Sequence, residues 1–416
     1  MSIKYRNNHY VPQWYQKRFI PSEQVDQELF YLDLNPGTFT DPRGVVHQKR
    51  SVKKLGTRYC FAENDLYTRS FGLSRDTDVE QFFFGKIDKE GRKAVDFFAE
   101  YDHLQYPWDG NMFNNLVIYL STQKLRTPKG LGWLIDRTGT NNRNALLSRM
   151  MRLHQLHGSL WAESIWQIAD ARDSNTKFII SDHPVTIYNR FLGPRNKKWC
   201  RGFNDPDVGL NASHTIFPLS MERVLIMTNL SWVRNPYQSG IVYRTNPSPL
   251  RSTMFNFQSI QTHRRLTEQE VMEINFIIKS RACRYIAAAN EEWLYPDRFI
   301  SKSDWNIFGD GLLLMPDPRG VEFTCETIMG WKDGRATAFD EYGRRPWQEG
   351  YGTHGAANEF ITLEQFKGDF ALKFGATRRG RAMSFGTDID PVCDSDEMHD
   401  YHISMARKNR RNKQES

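Results

Sequence analysis

KFIISDHPVTIY, the stretch at residues 177–188, decides the fold class. Its two ends are short runs of branched and aromatic residues, which favour β-strands because such side chains pack well on a pleated surface. Asp182 and Pro184, between those runs, are typical of a turn. The stretch therefore predicts two strands joined by a turn, and that turn presents the side chains of Asp182 and His183.

Three more segments of similar composition extend the predicted sheet along the chain. Residues 28–34 are followed by Asn35-Pro36-Gly37, which ends a strand, and residues 215–219 and 223–228 lie downstream. The segment 189–213 is rich in Gly, Pro, Asn and Arg, and we interpret it as a long exposed loop of the kind that often carries function.

Helical periodicity is found on both sides of these strands. The capping box at Thr77–Glu80 opens one predicted helix, and a second spans about 111–126. Thr127-Pro128 ends the second helix, because the residue before a proline avoids the α region. An apolar stripe predicts a third, long helix over 142–171, and the capping box at Thr267–Glu270 opens a fourth.

These elements predict an α+β fold, in which a helical bundle packs on a mixed or antiparallel sheet. We assign residues 1–300 to a core domain and residues 301–385, which are punctuated by Gly and Trp, to an appended C-terminal subdomain. Residues 386–416 have few apolar side chains and end in a basic block, so we expect a flexible charged tail there.

Composition excludes several classes of protein. The chain has 416 residues with 39% hydrophobic and 13% aromatic residues, which is too apolar for a disordered protein. Mean hydropathy is −0.64 and no stretch of about 18 apolar residues occurs, so we expect a soluble, cytoplasmic protein without a membrane partner. The net charge of +7 and the pI near 9.0 favour polyanionic partners such as RNA or DNA.

Cysteine and histidine spacing indicates neither a disulfide framework nor a zinc ribbon. His154 and His157 share one face of the predicted long helix, and we favour packed histidines there over a metal pair. The cysteines lie far apart, at positions 60, 200, 283, 325 and 393.

Polar and ionisable residues recur beside turns and helix ends, where a side chain can be aimed. In chain order these segments are His9-Tyr-Val-Pro-Gln13, Glu63-Asn-Asp-Leu-Tyr67, Glu80, Gln123-Lys-Leu-Arg126 and Ser181-Asp-His-Pro-Val185. Over about residues 1–300 this order resembles DUF4238, a bacterial family of unknown function. His183 departs from the family pattern, which usually has Asn at that place. The resemblance implies no particular activity.

The side chains of these segments suit phosphodiester chemistry. His9 is a candidate general base or metal ligand, and Arg18 and Arg126 are candidates for holding a phosphate. The acidic candidates for binding a divalent cation, Mg²⁺ or Mn²⁺, are Glu63, Asp65, Glu80 and Asp182. The full candidate catalytic set is His9, Gln13, Arg18, Gln123, Arg126 and His183.

Two hypotheses of different class follow. The first is a metal-dependent nuclease or related phosphodiester hydrolase, of the kind that acts as a bacterial defence or toxin effector. The alternative is a non-catalytic module that binds nucleic acid or protein, in which the same residues have structural roles. In that case His9 caps a turn, Glu80 completes the capping box and Asp182 forms a turn. The sequence indicates no oligomeric state.

Overall fold

A computed structural model describes most of the chain, and the described residues form an α+β fold, as predicted. They are residues 7–67, 69–71, 74–76, 83–102, 109–200, 205–244, 260–321, 326–340, 343–352, 356–376, 379–380 and 396–415. Within these ranges no helix is both long and apolar enough to cross a membrane.

The strands are short, and most belong to two sheets. They are β1 (Asn7–His9), β2 (Glu28–Asp33), β3 (Thr38–Thr40), β4 (Val46–Gln48), β5 (Val52–Gly56), β6 (Ala62–Asn64), β7 (Arg69–Phe71), β8 (Ser74–Asp76), β9 (Ile165–Asp170), β10 (Ile180–Ser181), β11 (Thr186–Asn189), β12 (Ser213–Pro218), β13 (Arg223–Thr228), β14 (Gln261–Arg265), β15 (Tyr285–Ala288), β16 (Glu326–Gly330) and β17 (Ala336–Asp340).

The helices lie mainly between β8 and β9 and in the last third of the chain. They are α1 (Gln13–Gln16), α2 (Gly85–Glu100), α3 (Gly110–Arg126), α4 (Pro128–Thr138), α5 (Arg143–Arg152), α6 (Gly158–Ala162), α7 (Leu230–Arg234), α8 (Glu268–Arg281), α9 (Ala356–Phe374) and α10 (Asp396–Glu415).

The larger sheet has five strands in the order β11-β12-β13-β9-β14. Its neighbours are antiparallel except for β14, which runs parallel to β9, so the sheet is mixed. A second, antiparallel sheet has the order β10-β15-β2-β5. Both sheets contribute to one large apolar core, together with α2, α3, α5 and α8.

Residues 182–185 connect the two sheets. This turn leaves β10 in the four-stranded sheet and enters β11 in the five-stranded sheet. The strand-turn-strand prediction for residues 177–188 is therefore confirmed, but the two strands do not pair with each other. The turn is fixed from both sides, and it places His183 at the junction of the sheets.

Residues 142–171 do not form the long helix predicted from their apolar stripe. The segment is divided into α5, the short α6 and the strand β9. All six residues of β9 are buried, and the strand lies inside the larger sheet between β13 and β14. A strand that is buried on both faces does not alternate between apolar and polar residues as a half-exposed strand does. The apolar residues of β9 therefore matched the helical pattern of the preceding segment.

The C-terminal segment is not a flexible tail over residues 396–415, because these residues form α10, which packs against α9. The two helices approach closely at Gly368, where an added Cβ would lie 2.9 Å from the Cβ of Ala406. Leu363, Phe366 and Phe370 of α9 join α7 in a second apolar cluster. Packing against α9 explains why a polar sequence is helical here.

Candidate functional site

The N-terminal candidates lie apart from one another and from any cleft. His9 is on β1, which pairs with β6, and its Nε2 atom lies 3.0 Å from the carbonyl oxygen of Arg58. Burial lowers the pKa of His9, and its backbone hydrogen bonds partly oppose that change. Gln13 is exposed at the start of α1.

Arg18 is engaged by protein groups rather than open to a phosphate. Its Nε donates to the carbonyl oxygen of Leu219 at 2.6 Å, and its Nη1 pairs with the carboxylate of Asp96. These contacts attach the N-terminal segment to the end of β12 and to α2.

Gln123 and Arg126 form a buried cluster at the end of α3. The Arg126 side chain is 1% exposed, and its Nη1 lies 2.8 Å from Oδ1 of Asp88. Its Nε donates to Oε1 of Gln123 at 2.6 Å, and Nε2 of Gln123 donates to the carbonyl oxygen of Tyr10 at 2.8 Å. The Tyr67 hydroxyl donates to the carbonyl oxygen of Arg126. The predicted phosphate clamp is therefore a structural ion pair, with Asp88 in the place of the anion.

Asp182 is surrounded by backbone donors. Its carboxylate accepts hydrogen bonds from the backbone N–H groups of Cys283 at 2.8 Å, Arg284 at 2.6 Å and Tyr285 at 2.9 Å. Burial raises the pKa of Asp182, although these three hydrogen bonds oppose that effect. The side chain joins the inter-sheet turn to the start of β15. The carboxylate therefore has a structural role, whereas the sequence predicted that it binds a metal ion.

Of the other acidic candidates, Glu63 and Asp65 form no metal-binding group with Asp182 in the described part of the chain. Glu63 is exposed on β6, and Asp65 follows it with a left-handed φ of 58°. Glu80, like the rest of the predicted capping box at its position, lies outside the described residues. Among the residues that the structure describes, no group of three or more His, Cys, Asp or Glu side chains could hold a metal ion. The predicted set of four acidic ligands thus has no counterpart there.

His183 is the one member of the predicted set, as far as its residues are described, that lines a cleft of about 390 Å³. The cleft lies where α3, α4, the inter-sheet turn and the end of the 189–213 segment meet. Its lining comprises Lys124, Leu125, Lys129, Gly130, Trp133, Asp136, Arg137, His157, His183, Lys198, Trp199, Asp205, Pro206, Asp207, Val208 and Tyr243.

His183 is held at both ring nitrogens. Nε2 lies 3.1 Å from Oδ2 of Asp205, and Nδ1 lies 2.7 Å from Oγ1 of Thr127. Burial, followed by the charge of Lys124, lowers the pKa of His183 to about 3, so the ring is neutral at pH 7. A neutral ring has one N–H, and the carboxylate places it on Nε2. Nδ1 then accepts from the Thr127 hydroxyl, which itself accepts from the N–H of Gly130 at 3.1 Å.

Asp205 forms the floor of the cleft. Its two carboxylate oxygens accept separately from Nζ of Lys124 and Nζ of Lys129, each at 2.7 Å. Asp205 is 4% exposed, and the charges of the two lysines hold its pKa well below the usual range despite the opposing effect of burial. Lys129 also donates to the carbonyl oxygen of Arg281 at 2.5 Å. Two ammonium groups thus share one carboxylate, and the whole lining, with four basic and three acidic side chains, has one excess positive charge.

Lys124 retains an N–H group that can face the cleft. One proton is donated to Asp205, and a second lies toward the carbonyl oxygen of Val185 at 3.4 Å. His183 Nε2 is 3.3 Å away, but it carries a proton of its own and cannot accept. Burial lowers the pKa of Lys124, an effect that Asp205 opposes.

Aromatic and basic side chains surround the opening of the cleft. The rings of Trp199 and Tyr243 have centroids 6.1 Å apart. The guanidinium of Arg137 lies 5.4 Å from the ring centroid of Trp133, and Nζ of Lys198 lies 5.8 Å from that of Trp199. Trp133 and Trp199 are partly exposed and Tyr243 is exposed, so a planar group entering the cleft meets their faces or edges.

Asp205, Lys124 and Lys129 were not among the sequence candidates. Asp205 lies in the segment interpreted as an exposed loop, although residues 208 and 210–213 of that segment are buried. The two lysines flank Thr127-Pro128, which was interpreted only as a helix end. In the structure α4 begins directly after Thr127, whose side chain caps that helix. The local signal was thus two basic residues around a helix-to-helix junction.

Comparisons with known proteins identify one family. No match was found among curated proteins, and none was found among solved structures. The matching family model is described as a protein of unknown function, DUF4238. The matched segment contains His183 and Asp205 together with Trp199 and Tyr243, whereas Lys124 and Lys129 precede it. The resemblance inferred from the sequence is confirmed over residues 148–292, the part of the chain that matches the DUF4238 model.

Proposed function

We propose that the protein binds nucleic acid through the cleft above Asp205. The observation that carries this proposal is the pairing of a cationic floor with an aromatic opening in one cavity. Positive charge attracts the phosphate groups of a nucleic acid, and aromatic rings provide flat surfaces on which its unstacked bases can stack. The net charge of +7 acts in the same direction, because it draws polyanions to the protein.

The floor is suited to an anion because its cations are already desolvated. Lys129 is 3% exposed and Lys124 is 12% exposed, so the free-energy cost of burying their charges is met in folding rather than in binding. The phosphate oxygens would accept charge-assisted hydrogen bonds from the remaining N–H groups of the two lysines.

Binding of short labelled single strands of RNA and DNA, measured by fluorescence anisotropy, tests the proposal. We expect affinity to fall as salt rises from about 50 to 200 mM, because binding releases counterions from the phosphates. Trp199→Ala is expected to remove about 1–3 kcal/mol of binding free energy, the usual contribution of one base stacked on an aromatic ring.

The matched control is Trp347→Ala. Trp347 is 76% exposed and is not part of the cleft lining, so its loss removes the same kind of side chain without changing the cleft. Equal losses of affinity in the two variants would contradict the proposal, because the cleft would then contribute nothing specific. Absence of salt-dependent binding in the wild-type protein would also contradict it.

The hydrolase hypothesis stays as a second candidate, favoured by one observation. Thr127, His183 and Asp205 form a hydrogen-bonded chain in the order of a nucleophile, a base and an orienting carboxylate. In that mechanism Thr127 Oγ would attack phosphorus and displace the leaving oxygen, as the P–O bond to that oxygen breaks and His183 Nδ1 passes the hydroxyl proton to it. Water would then attack the phosphothreonine, giving its proton to His183 Nδ1, and the Oγ–P bond would break, with Thr127 Oγ taking that proton back. Thr127 is fully buried, which is why binding is the primary proposal.

Cleavage of the same strands, with and without Mg²⁺ or Mn²⁺, separates the two candidates. The hydrolase hypothesis expects strand cleavage that Thr127→Ser retains and Thr127→Val loses. His9→Ala and Arg126→Met test the earlier assignment, because those residues lie outside the cleft. Binding without cleavage under all conditions would remove the hydrolase hypothesis and leave the binding function.

A further inference from the structure

The cleft is of a size for one nucleotide rather than for a stacked strand. Its volume of about 390 Å³ lies near the lower end of the range for small-molecule sites. Proteins that bind single strands without sequence preference instead follow the backbone along an open groove. The cavity volume therefore suits a single base with its sugar and phosphate.

The two ends of the cleft differ in chemistry as the two ends of a nucleotide do. Trp133, Trp199 and Tyr243 are at the opening, and each has a face or an edge that is accessible to solvent. Lys124 and Lys129 are at the floor, with Asp205 between them. A nucleotide therefore enters with its phosphate first and leaves its base at the opening.

The depth of the lysines favours a terminal phosphate over an internal one. A phosphodiester inside a strand carries a sugar on both sides, so it needs a passage that is open at two ends. Lys124 and Lys129 line the cleft but are only 12% and 3% exposed, so a ligand would reach them from the cleft side alone, as a phosphate at the end of a ligand can. A phosphate monoester also carries a charge of about −1.5 to −2 at pH 7, which suits the excess positive charge of the lining.

We propose that the cleft binds a nucleoside monophosphate unit, with its phosphate monoester on Lys124 and Lys129 and its base between Trp133 and Trp199. This inference rests on the proposed nucleic-acid binding and narrows it to strands that end in a phosphate. The same unit occurs as a free mononucleotide, and the test below distinguishes the two sources.

The first measurement compares ligands on the full-length protein. Isothermal titration calorimetry is carried out with 5′-AMP, 3′-AMP and adenosine. A second series uses a short oligoadenylate that carries a phosphate at its 5′ end, at its 3′ end or at neither end. We expect one of the two phosphorylated strands to bind at least about tenfold more tightly than the unphosphorylated strand, and the corresponding AMP to bind at least about tenfold more tightly than adenosine.

Two variants assign the two ends of the ligand. Lys124→Met is expected to abolish the preference for the phosphorylated ligand, whereas Trp199→Ala is expected to weaken both ligands by the same factor. Lys89→Met, on the exposed surface of α2, is the control for loss of one positive charge. Circular dichroism melts verify that each variant is folded. If Lys124→Met does not fold, the Trp199→Ala variant still tests whether the cleft binds the ligand.

The outcomes separate this inference from the proposed function. Tight binding of the strand without any effect of a terminal phosphate would overturn the inference and leave nucleic-acid binding in place. Binding of AMP without binding of any strand would overturn nucleic-acid binding and support the mononucleotide as the ligand. Failure of every ligand to bind would overturn both, and persistence of the phosphate preference in Lys124→Met would overturn the placement of the phosphate.

Discussion

At the scale of single residues, Asp205 determines the charge of the cleft. It neutralises one of two buried ammonium groups and orients the ring of His183. A buried ion pair adds little stability by comparison with an apolar replacement, but removing one partner leaves an uncompensated charge. The network around Asp205 is therefore sensitive to loss of this carboxylate.

Asp205→Asn is expected to lower the free energy of unfolding by about 3–5 kcal/mol, because Lys124 and Lys129 would then lose the carboxylate that they share. Urea denaturation of the two proteins measures this difference. Asp173→Asn is the control, since Asp173 is 75% exposed and its pair with Arg265 contributes little. A loss below about 1 kcal/mol in Asp205→Asn would indicate that the lysines are deprotonated or solvated.

Of the residues predicted for the site, His183 lies in the cleft and most of the others support packing. Nothing in the sequence distinguishes Arg126, which faces Asp88, from an arginine that faces a ligand. Asp205 was unpredictable for a different reason. It meets Lys124 across 81 positions of the chain, and no local pattern encodes a contact of that range.

At the scale of elements, the junction of α3 and α4 builds the floor of the cleft. The two helices are joined at Thr127 alone, so Lys124 and Lys129 approach Asp205 from different helices. Gly130 permits this sharp junction, because a Cβ at its position would lie 2.5 Å from the carbonyl oxygen of Leu125. Such an approach to backbone atoms cannot be relieved by a change of rotamer.

Substitution by alanine is expected to have opposite effects on stability at Gly130 and at Gly132, two positions of α4. Gly130→Ala is expected to lower the free energy of unfolding by about 1–3 kcal/mol, since the helices must move apart. Gly132 has nothing within 4 Å of an added Cβ, so Gly132→Ala is expected to raise it by about 0.5–1 kcal/mol. Thermal and urea denaturation of the two variants measures these changes. A shift of stability in the same direction in both variants would contradict the prediction.

Element type was predictable where the local pattern and the tertiary environment agree. The helix α3 and the capping box of α8 were predicted because their caps and apolar stripes are local features. The strand β9 was missed because the strands that pair with it, β13 and β14, lie far along the chain. The helix α10 was missed because its sequence is polar, and its packing against α9 stabilises it.

At the scale of the whole molecule, three of the buried histidines have strongly lowered pKa values, and two of these three line the cleft. They are His157 at the start of α6, His183 in the inter-sheet turn and His214 on β12. In each, burial is the largest cause of a pKa lowered to about 3. The folded protein therefore keeps all three rings neutral over a range in which the unfolded chain protonates them.

This difference makes stability depend on pH with a definite sign. Between about pH 3 and the unfolded histidine pKa near 6.5, the unfolded state binds more protons, so the free energy of unfolding rises with pH. Each buried histidine contributes a slope of up to about 1.4 kcal/mol per pH unit in that window and none above it. We expect stability to increase steeply from about pH 4 to pH 6 and to level off near pH 7.

His214→Gln isolates one of these contributions. Its Nδ1 lies 3.1 Å from the Thr228 hydroxyl, a contact that the amide of glutamine can also make. Urea denaturation of the variant and the wild-type protein across this range is expected to show a slope smaller by about 1.4 kcal/mol per pH unit between pH 4 and 6. Above about pH 7.5 the two stability curves are expected to run parallel, because the imidazole is then neutral in both the folded and the unfolded protein. Parallel curves at low pH as well would mean that His214 is protonated in the folded protein, and that the core admits the charge or the water that burial was expected to exclude.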